Sequence, residues 1–240
     1  MNTKISTIVL MLMLISGNIF AQSAQIIKPE LLKSELDTIS ANRYNINSIT
    51  TDKDGNWVIL YGDIGYSYIS TSKEVSAILD TLATNQLILK DIDFFSNNSC
   101  MILFQENGYY ADSVPSTFRE ILKTTNEKGV MFKCADITEN KEIFLYGKNS
   151  FYEKSAPETL ITRLRALQNR DQNIKHVSFV GSTGWVILYA EKGMIFQNIP
   201  EDLVNGLKNL GQQTVTIDKV FFLKDKWVIV YDNYKYLSNL

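Results

Sequence analysis

The chain has 240 residues, 45% of them hydrophobic and 21% charged, a balance that excludes disordered, collagen-like and cysteine-stapled classes. With 24 basic against 26 acidic side chains the net charge is −2, so no basic field exists to hold a nucleic-acid backbone. Two cysteines and one histidine without close spacing make no zinc motif, and no phosphate-cradling glycine fingerprint is present. No cofactor and no metal are therefore expected.

Residues 1–21 read as a secretory signal. Lys4 is the only charge, Ile8 to Ile15 is apolar, Ser16-Gly17-Asn18 breaks the run, and Ala21 offers a small residue for cleavage. The apolar stretch is too short for the ~20 residues a bilayer span needs. The expectation is a secreted or periplasmic protein with no stable membrane insertion after signal removal, carrying a short tail over 22–27.

The first structural unit opens at Pro29. Proline suits the first turn of a helix, where its missing N–H is not needed. Leu32, Leu36 and Ile39 then recur at the 3–4 spacing of one helical stripe. Next comes a pattern of apolar, two variable, apolar, one variable, apolar, here Ile46, Ile49 and Thr51, whose last two positions alternate as a half-buried strand does. The loop Asp52-Lys53-Asp54-Gly55-Asn56 leads into Trp57-Val58-Ile59-Leu60-Tyr61, five apolar and aromatic residues that predict a strand buried on both faces. A turn at Gly65 and a short aromatic strand with Tyr66 and Tyr68 complete the unit.

The same order recurs four times. The central strands start at Trp57, Cys100, Glu142, Trp185 and Trp227, at steps of 43, 42, 43 and 42. The helix starts fall at Pro29, Ser72, Pro115, Pro157 and Pro200, at steps of 43, 43, 42 and 43. The helical stripes continue as Val75/Leu79/Leu82, Phe118/Leu122/Thr125, Leu160/Leu164/Leu167 and Leu203/Leu207/Leu210. Glycines at 65, 108 and 193 stand in register at the second turn, and Asn107-Gly108 is its strongest hairpin signal because both residues tolerate positive φ. Five units, 28–70, 71–113, 114–155, 156–198 and 199–240, fill a single repeat domain from residue 28 onward.

Such a unit cannot bury its own faces and must stack on neighbours. The first and last units are as apolar as the middle ones, and closing the row removes both ends and every free edge. The expected fold is an α/β repeat: a closed five-fold toroid of helix-plus-three-strand units, pentein-like or propeller-like, in a monomer. A slightly open arc and a five-bladed propeller with a helix in place of each fourth strand are the alternatives.

Against this regular frame one row of positions varies. Two residues after the first apolar position of the first strand stand Ser48, Asp91, Cys134, His176 and Lys219; two further on stand Thr50, Asp93, Asp136, Ser178 and Phe221. Period two puts both rows on one side of the strands. In a closed ring with these strands innermost, that side converges on the axis. A thiol, an imidazole and carboxylates are the parts of a nucleophilic site, so Cys134, His176, Asp91 and Asp136 are the candidate catalytic residues, with Ser48, Asp93 and Lys219 as candidate binding residues. The alternative is a variable polar face meeting solvent. An exported address also permits a Cys100–Cys134 disulfide, provided the Cα atoms come within ~7 Å.

The string I-x-x-V-x-F, a loop with glycine, W-V-I-L-Y, N-G-Y and then I-P-x-x-L resembles a repeat of about 42 residues in bacterial multi-repeat proteins of unknown function. The five-unit plan is similar to the pentein, or α/β-propeller, fold, which hosts guanidine-modifying enzymes and a ribosome anti-association factor; this resemblance implies a site at the axis. In those enzymes the nucleophilic cysteine follows the histidine, whereas here Cys134 precedes His176. The expectation for function is an exported, non-catalytic binding or scaffold module for a protein or glycan partner. The alternative is a hydrolase or transferase with a Cys-His-Asp site near the axis.

Overall fold

The structure is a computed structural model and describes residues 28–95, 99–138 and 140–240. The predicted signal segment 1–21 and tail 22–27 lie outside the described residues. No helix among the described residues is long and apolar enough to cross a membrane.

Five units follow one another, each a helix and a three-stranded antiparallel meander. They comprise α1 (Pro29–Ala41) with β1 (Ile46–Thr51), β2 (Trp57–Tyr61) and β3 (Gly65–Tyr68); α2 (Lys73–Thr84) with β4 (Leu89–Phe94), β5 (Cys100–Phe104) and β6 (Gly108–Ala111); α3 (Ser116–Glu127) with β7 (Phe132–Ile137), β8 (Glu142–Tyr146) and β9 (Ser150–Lys154); α4 (Glu158–Asn169) with β10 (Ile174–Val180), β11 (Gly184–Tyr189) and β12 (Gly193–Gln197); and α5 (Glu201–Gly211) with β13 (Ile217–Leu223), β14 (Lys226–Tyr231) and β15 (Lys235–Ser238).

The helix starts follow from local chemistry. Pro29 lies in the first turn of α1, but Pro115, Pro157 and Pro200 sit one residue before their helices. Their extended ψ leaves the carbonyl free to accept the first helical N–H, from Arg119, Ile161 and Val204. Ser72 replaces proline with a side-chain cap, its Oγ accepting from the Val75 N–H at 3.2 Å.

Each core lies between two units. The helix stripe of one unit and one face of its central strand pack on the opposite face of the preceding central strand. Thus Val75, Leu79 and Leu82 of α2 meet Val58 and Leu60 of β2 on one side and Ile102 of β5 on the other. Because both faces of the central strand enter a core, it is apolar throughout, and fully burying one such side chain contributes ~1.5–3 kcal/mol. Leu32, Leu36 and Ile39 of α1 join Ile59 of β2 with Phe221 and Val228 of unit five, so a fifth core forms between the last unit and the first. Glu142 occupies a tryptophan slot in unit three; its buried carboxylate accepts from Tyr152 and Lys154, both at 3.1 Å.

One expectation changes at this level. The positive-φ residue of the second turn is not Asn107 or Gly108 but the position just after the central strand: Gly62, Gln105, Gly147, Ala190 and Asp232. Gly108 is instead required by proximity, since a Cβ there would lie 2.3 Å from the Phe104 ring. Both cysteines are free: Cys100 lies in the core between units one and two, Cys134 in that between units three and four.

Among the described residues the five sheets are separate, with no ladder running from one to the next. The first strands of neighbouring units nevertheless touch, β1 with β4, β4 with β7, β7 with β10, β10 with β13, and β13 with β1. Where these strands begin, a main-chain bond joins successive units. Leu89 donates to Asp63 O, Phe132 to Glu106 O and Ile174 to Lys148 O; Ile46 of the first unit donates to Asn233 O of the fifth at 2.9 Å.

Candidate functional site

Each first strand carries a bulge between its first apolar residue and the residue two positions on, for example between Ile46 and Ser48 and between Leu89 and Asp91. The same irregularity recurs in β7, β10 and β13. A bulge adds one residue and re-aims its side chain. The apolar spacing of three and then two in the sequence is its signature, and the bulged residues themselves escaped the sequence reading. Four of them reach forward to the next unit. Asn47 donates to Leu89 O at 2.9 Å, Lys90 to Phe132 O at 2.5 Å, Lys133 to Ile174 O at 2.6 Å and Lys175 to Ile217 O at 3.0 Å.

The candidate catalytic row forms a second set of such clasps. Ser48 Oγ donates to Asp91 Oδ1 at 2.6 Å and accepts from the Ile92 N–H. Asp91 Oδ2 accepts from Ala135 N–H at 2.8 Å. The Cys134 thiol faces the Val177 amide. His176 Nε2 bonds to Val220 O at 2.8 Å, and Lys219 Nζ donates to Asn47 O, back in the first unit. Serine, aspartate, cysteine, histidine and lysine thus do equivalent work, each engaging the backbone of the neighbouring unit that no strand ladder satisfies.

The third row does the same less completely. Thr50 Oγ1 donates to Asp93 Oδ1 at 3.1 Å, Asp93 Oδ2 accepts from Ile137 N–H at 2.6 Å, and Asp136 Oδ2 accepts from Phe179 N–H at 2.6 Å. Above these residues opens a cavity of about 250 Å³ to which all five units contribute, among them Thr50, Asp93, Asp136, Ser178 and Phe221. Ser48, Asp91 and His176 also line it. Cys134 and Lys219 do not: the thiol sits in the core between units three and four, and the ammonium is turned to Asn47 O.

The electrostatics follow from burial. Burial pushes the Asp91 carboxyl above its ordinary value, opposed by the charge of Lys219 and the Ser48 hydrogen bond. Asp93 is raised well above the carboxylate range by burial and then by the charge of Asp136. Burial raises Asp136 to about 6, against the amide of Phe179 and the hydroxyl of Ser178. Two neighbouring carboxylates in one enclosure resist carrying two charges. Lys219 is pulled below its ordinary value by burial, with Asp91 opposing.

Burial acts on the thiol and the imidazole as well. Burial pushes Cys134 up to about 12, so the thiol stays protonated at neutral pH. Burial holds His176 down to about 4, and its Nδ1 has no hydrogen-bond partner. Among the described residues Asp91, His176 and Cys134 engage Ala135 N–H, Val220 O and the Val177 amide rather than one another. No group of three or more histidine, cysteine or acidic residues that could hold a metal occurs among the described residues.

Fold and site together define a five-unit α/β repeat protein with a polar cavity built on its first strands. No protein-family model and no curated protein sequence matches the chain. It is similar to a solved structure described as YCF48 bound to D1 peptide, at 9% identity and a TM-score of 0.28. The similarity covers 80% of this chain and 49% of that one, so the chain spans about half the length of that structure.

Proposed function

We propose that this chain is an exported five-unit toroid that acts as a non-catalytic binding module, taking a protein or glycan partner at the cavity over its axis. Closure is supported by the core shared by units one and five, built like the other four, and by the bonds from Ile46 to Asn233 and from Lys219 to Asn47. One observation carries the binding reading: a cavity of about 250 Å³ whose wall is contributed by all five units, the kind of concavity in which ligands collect. The protonated thiol, and an imidazole bonded to Val220 O rather than to the thiol, favour binding over covalent chemistry.

The test is capture of envelope proteins and glycans on the purified protein and on Ser178→Trp, which fills the cavity. The expected result is specific retention by the wild type and loss in the variant, with the thermal midpoint little changed. Equal retention by both proteins places the partner elsewhere and refutes the reading.

A further inference from the structure

The cavity is short of hydrogen-bond donors. His176 Nε2 bonds to a carbonyl, which only accepts, so Nε2 carries the proton and Nδ1 presents a lone pair. That Nδ1 is buried without a partner, in a side chain 5% exposed that lines the cavity. Leaving such a group unpaired costs ~1–3 kcal/mol. Asp93 and Asp136 line the same space and repel one another. Neither is ion-paired with a lysine among the described residues. The lysines around them donate to carbonyls, Lys219 to Asn47 O, Lys141 to Gly181 O and Ser182 O, and Lys224 to Lys53 O, and of these Lys141 also acts on Asp136 through its charge. An imidazole nitrogen without a donor and two carboxyl groups that resist ionising side by side call for a cation that carries several N–H donors.

We propose that this cavity binds a small primary ammonium, its charge held by Asp93 and Asp136 and one N–H donated to His176 Nδ1. An ammonium offers three donors and no acceptor, which matches the lining. The volume of about 250 Å³ lies just under the ~300–1,000 Å³ of drug-sized pockets, so a short alkylammonium or the end of a lysine side chain fits. Phe221, in edge contact with the His176 ring, provides apolar wall for the carbon chain. The assignment rests on the binding-module reading and names the ligand chemistry of the same site.

Occupancy should depend on pH. Asp136, near 6 when empty, and Asp93, raised well above the carboxylate range, must both ionise to hold the cation, so affinity rises with pH and binding releases protons. The other groups around it are Asp91 and Asp93 from β4, Cys134 from β7, His176 from β10, Lys219 and Lys224 at β13, and Lys141 before β8. Cys134 and His176 remain neutral from pH 5 to 7.

The experiment is NMR titration of the purified protein with n-butylammonium, tetramethylammonium and 1-butanol, following the His176 ring nitrogens and the Ile137 and Phe179 amides. The expected result is saturable shifts with n-butylammonium, about tenfold weaker with tetramethylammonium, which has charge but no N–H, and none with 1-butanol. Asp136→Asn and Asp93→Asn each weaken n-butylammonium about tenfold, with folding checked by thermal midpoint. Equal response to 1-butanol, equal response to tetramethylammonium, or no saturable shift overturns the assignment. If the amine fails while Ser178→Trp still abolishes partner capture, the ligand chemistry is wrong and the binding module stands; if capture is unaffected by Ser178→Trp, the module reading itself falls.

Discussion

Asp91→Ala tests whether side-chain clasps, rather than apolar cores alone, hold the units together. The carboxylate of Asp91 accepts from Ser48 in unit one and from the Ala135 amide in unit three, at 2.6 and 2.8 Å, and lies within the field of Lys219 in unit five. Hydrogen bonds to a charged group contribute ~1.5–3 kcal/mol each. Losing the negative charge that acts on the buried Lys219 ammonium adds to the cost. These terms overlap, since the desolvation cost of Asp91 is relieved at the same time, and a net loss of about 4 kcal/mol is expected. Against a total stability of ~5–15 kcal/mol that is a large fraction.

Urea denaturation measures it. With a slope of ~2–3 kcal/mol per molar, the midpoint of Asp91→Ala falls by roughly 1.3–2 M. Asp91→Asn keeps an acceptor for Ala135 and the shape of the site but not the charge, and should lose about half as much. Adding Lys219→Met to Asp91→Ala removes the stranded ammonium and should restore part of the loss. A loss under about 1 kcal/mol in Asp91→Ala, within the range of an ordinary surface change, would show that the clasps contribute nothing beyond the cores.

Both thiols are buried and pushed up to about 12, so iodoacetamide at pH 8 should modify Cys100 and Cys134 only on unfolding; a thiol that reacts quickly in the native protein refutes that. The pKa of Asp136, near 6 in the folded state against 3.8 ordinarily, means that its contribution to stability is present below pH 4 and is lost as pH rises through 6. Asp136→Asn should flatten the dependence of the urea midpoint on pH between 4 and 7, and an unchanged slope counts against the raised value. Gly108→Ala places a methyl against the Phe104 ring and should cost ~1–3 kcal/mol by thermal melting. Ending the chain after residue 198 exposes the Leu32 and Leu36 face of α1 and the Val186 face of β11; the expected result is binding of a hydrophobic dye and loss of cooperative unfolding, which a chain with an independent unit five would not show.

The elements were legible because burial imposes a period on them. Every residue of the stripes from Leu32 to Leu210 is buried where the 3–4 spacing placed it, Thr125 included. The central strands were legible because both their faces enter a core, which leaves no polar alternation to confuse with a helix. The turns were less legible: Gln105, Ala190 and Asp232 adopt positive φ without being glycine, while Gly108 serves the Phe104 ring. At the site, the sequence located the right row but not its work. Residue type suggested a thiol, an imidazole and carboxylates brought together for chemistry. Type says nothing of which backbone group a side chain will meet in the next unit, and that meeting is where Ser48, Asp91, Cys134 and His176 are spent.

Variation along this row has a physical cause. An ordinary sheet satisfies neighbouring strands with a ladder, which is indifferent to side-chain identity. Here each unit instead offers a particular backbone group to the one before: an N–H at Ile92, Ala135 and Val177, a carbonyl at Val220 and Asn47. Hydroxyl, carboxylate and thiol can meet an N–H; a protonated imidazole nitrogen and an ammonium meet a carbonyl. The order Ser, Asp, Cys, His, Lys therefore follows from the polarity each facing unit presents. Units whose apolar parts are nearly interchangeable become specific to their neighbours. Exchanging Asp91 and His176 would leave the cores intact yet set a carboxylate against the Val220 carbonyl, and an imidazole with one acceptor nitrogen where two carboxylate oxygens had met the Ser48 hydroxyl and the Ala135 N–H. At ~1–3 kcal/mol for each buried group left unpaired, the double exchange Asp91→His with His176→Asp should unfold the protein at lower urea than either Asp91→Ala or His176→Ala alone.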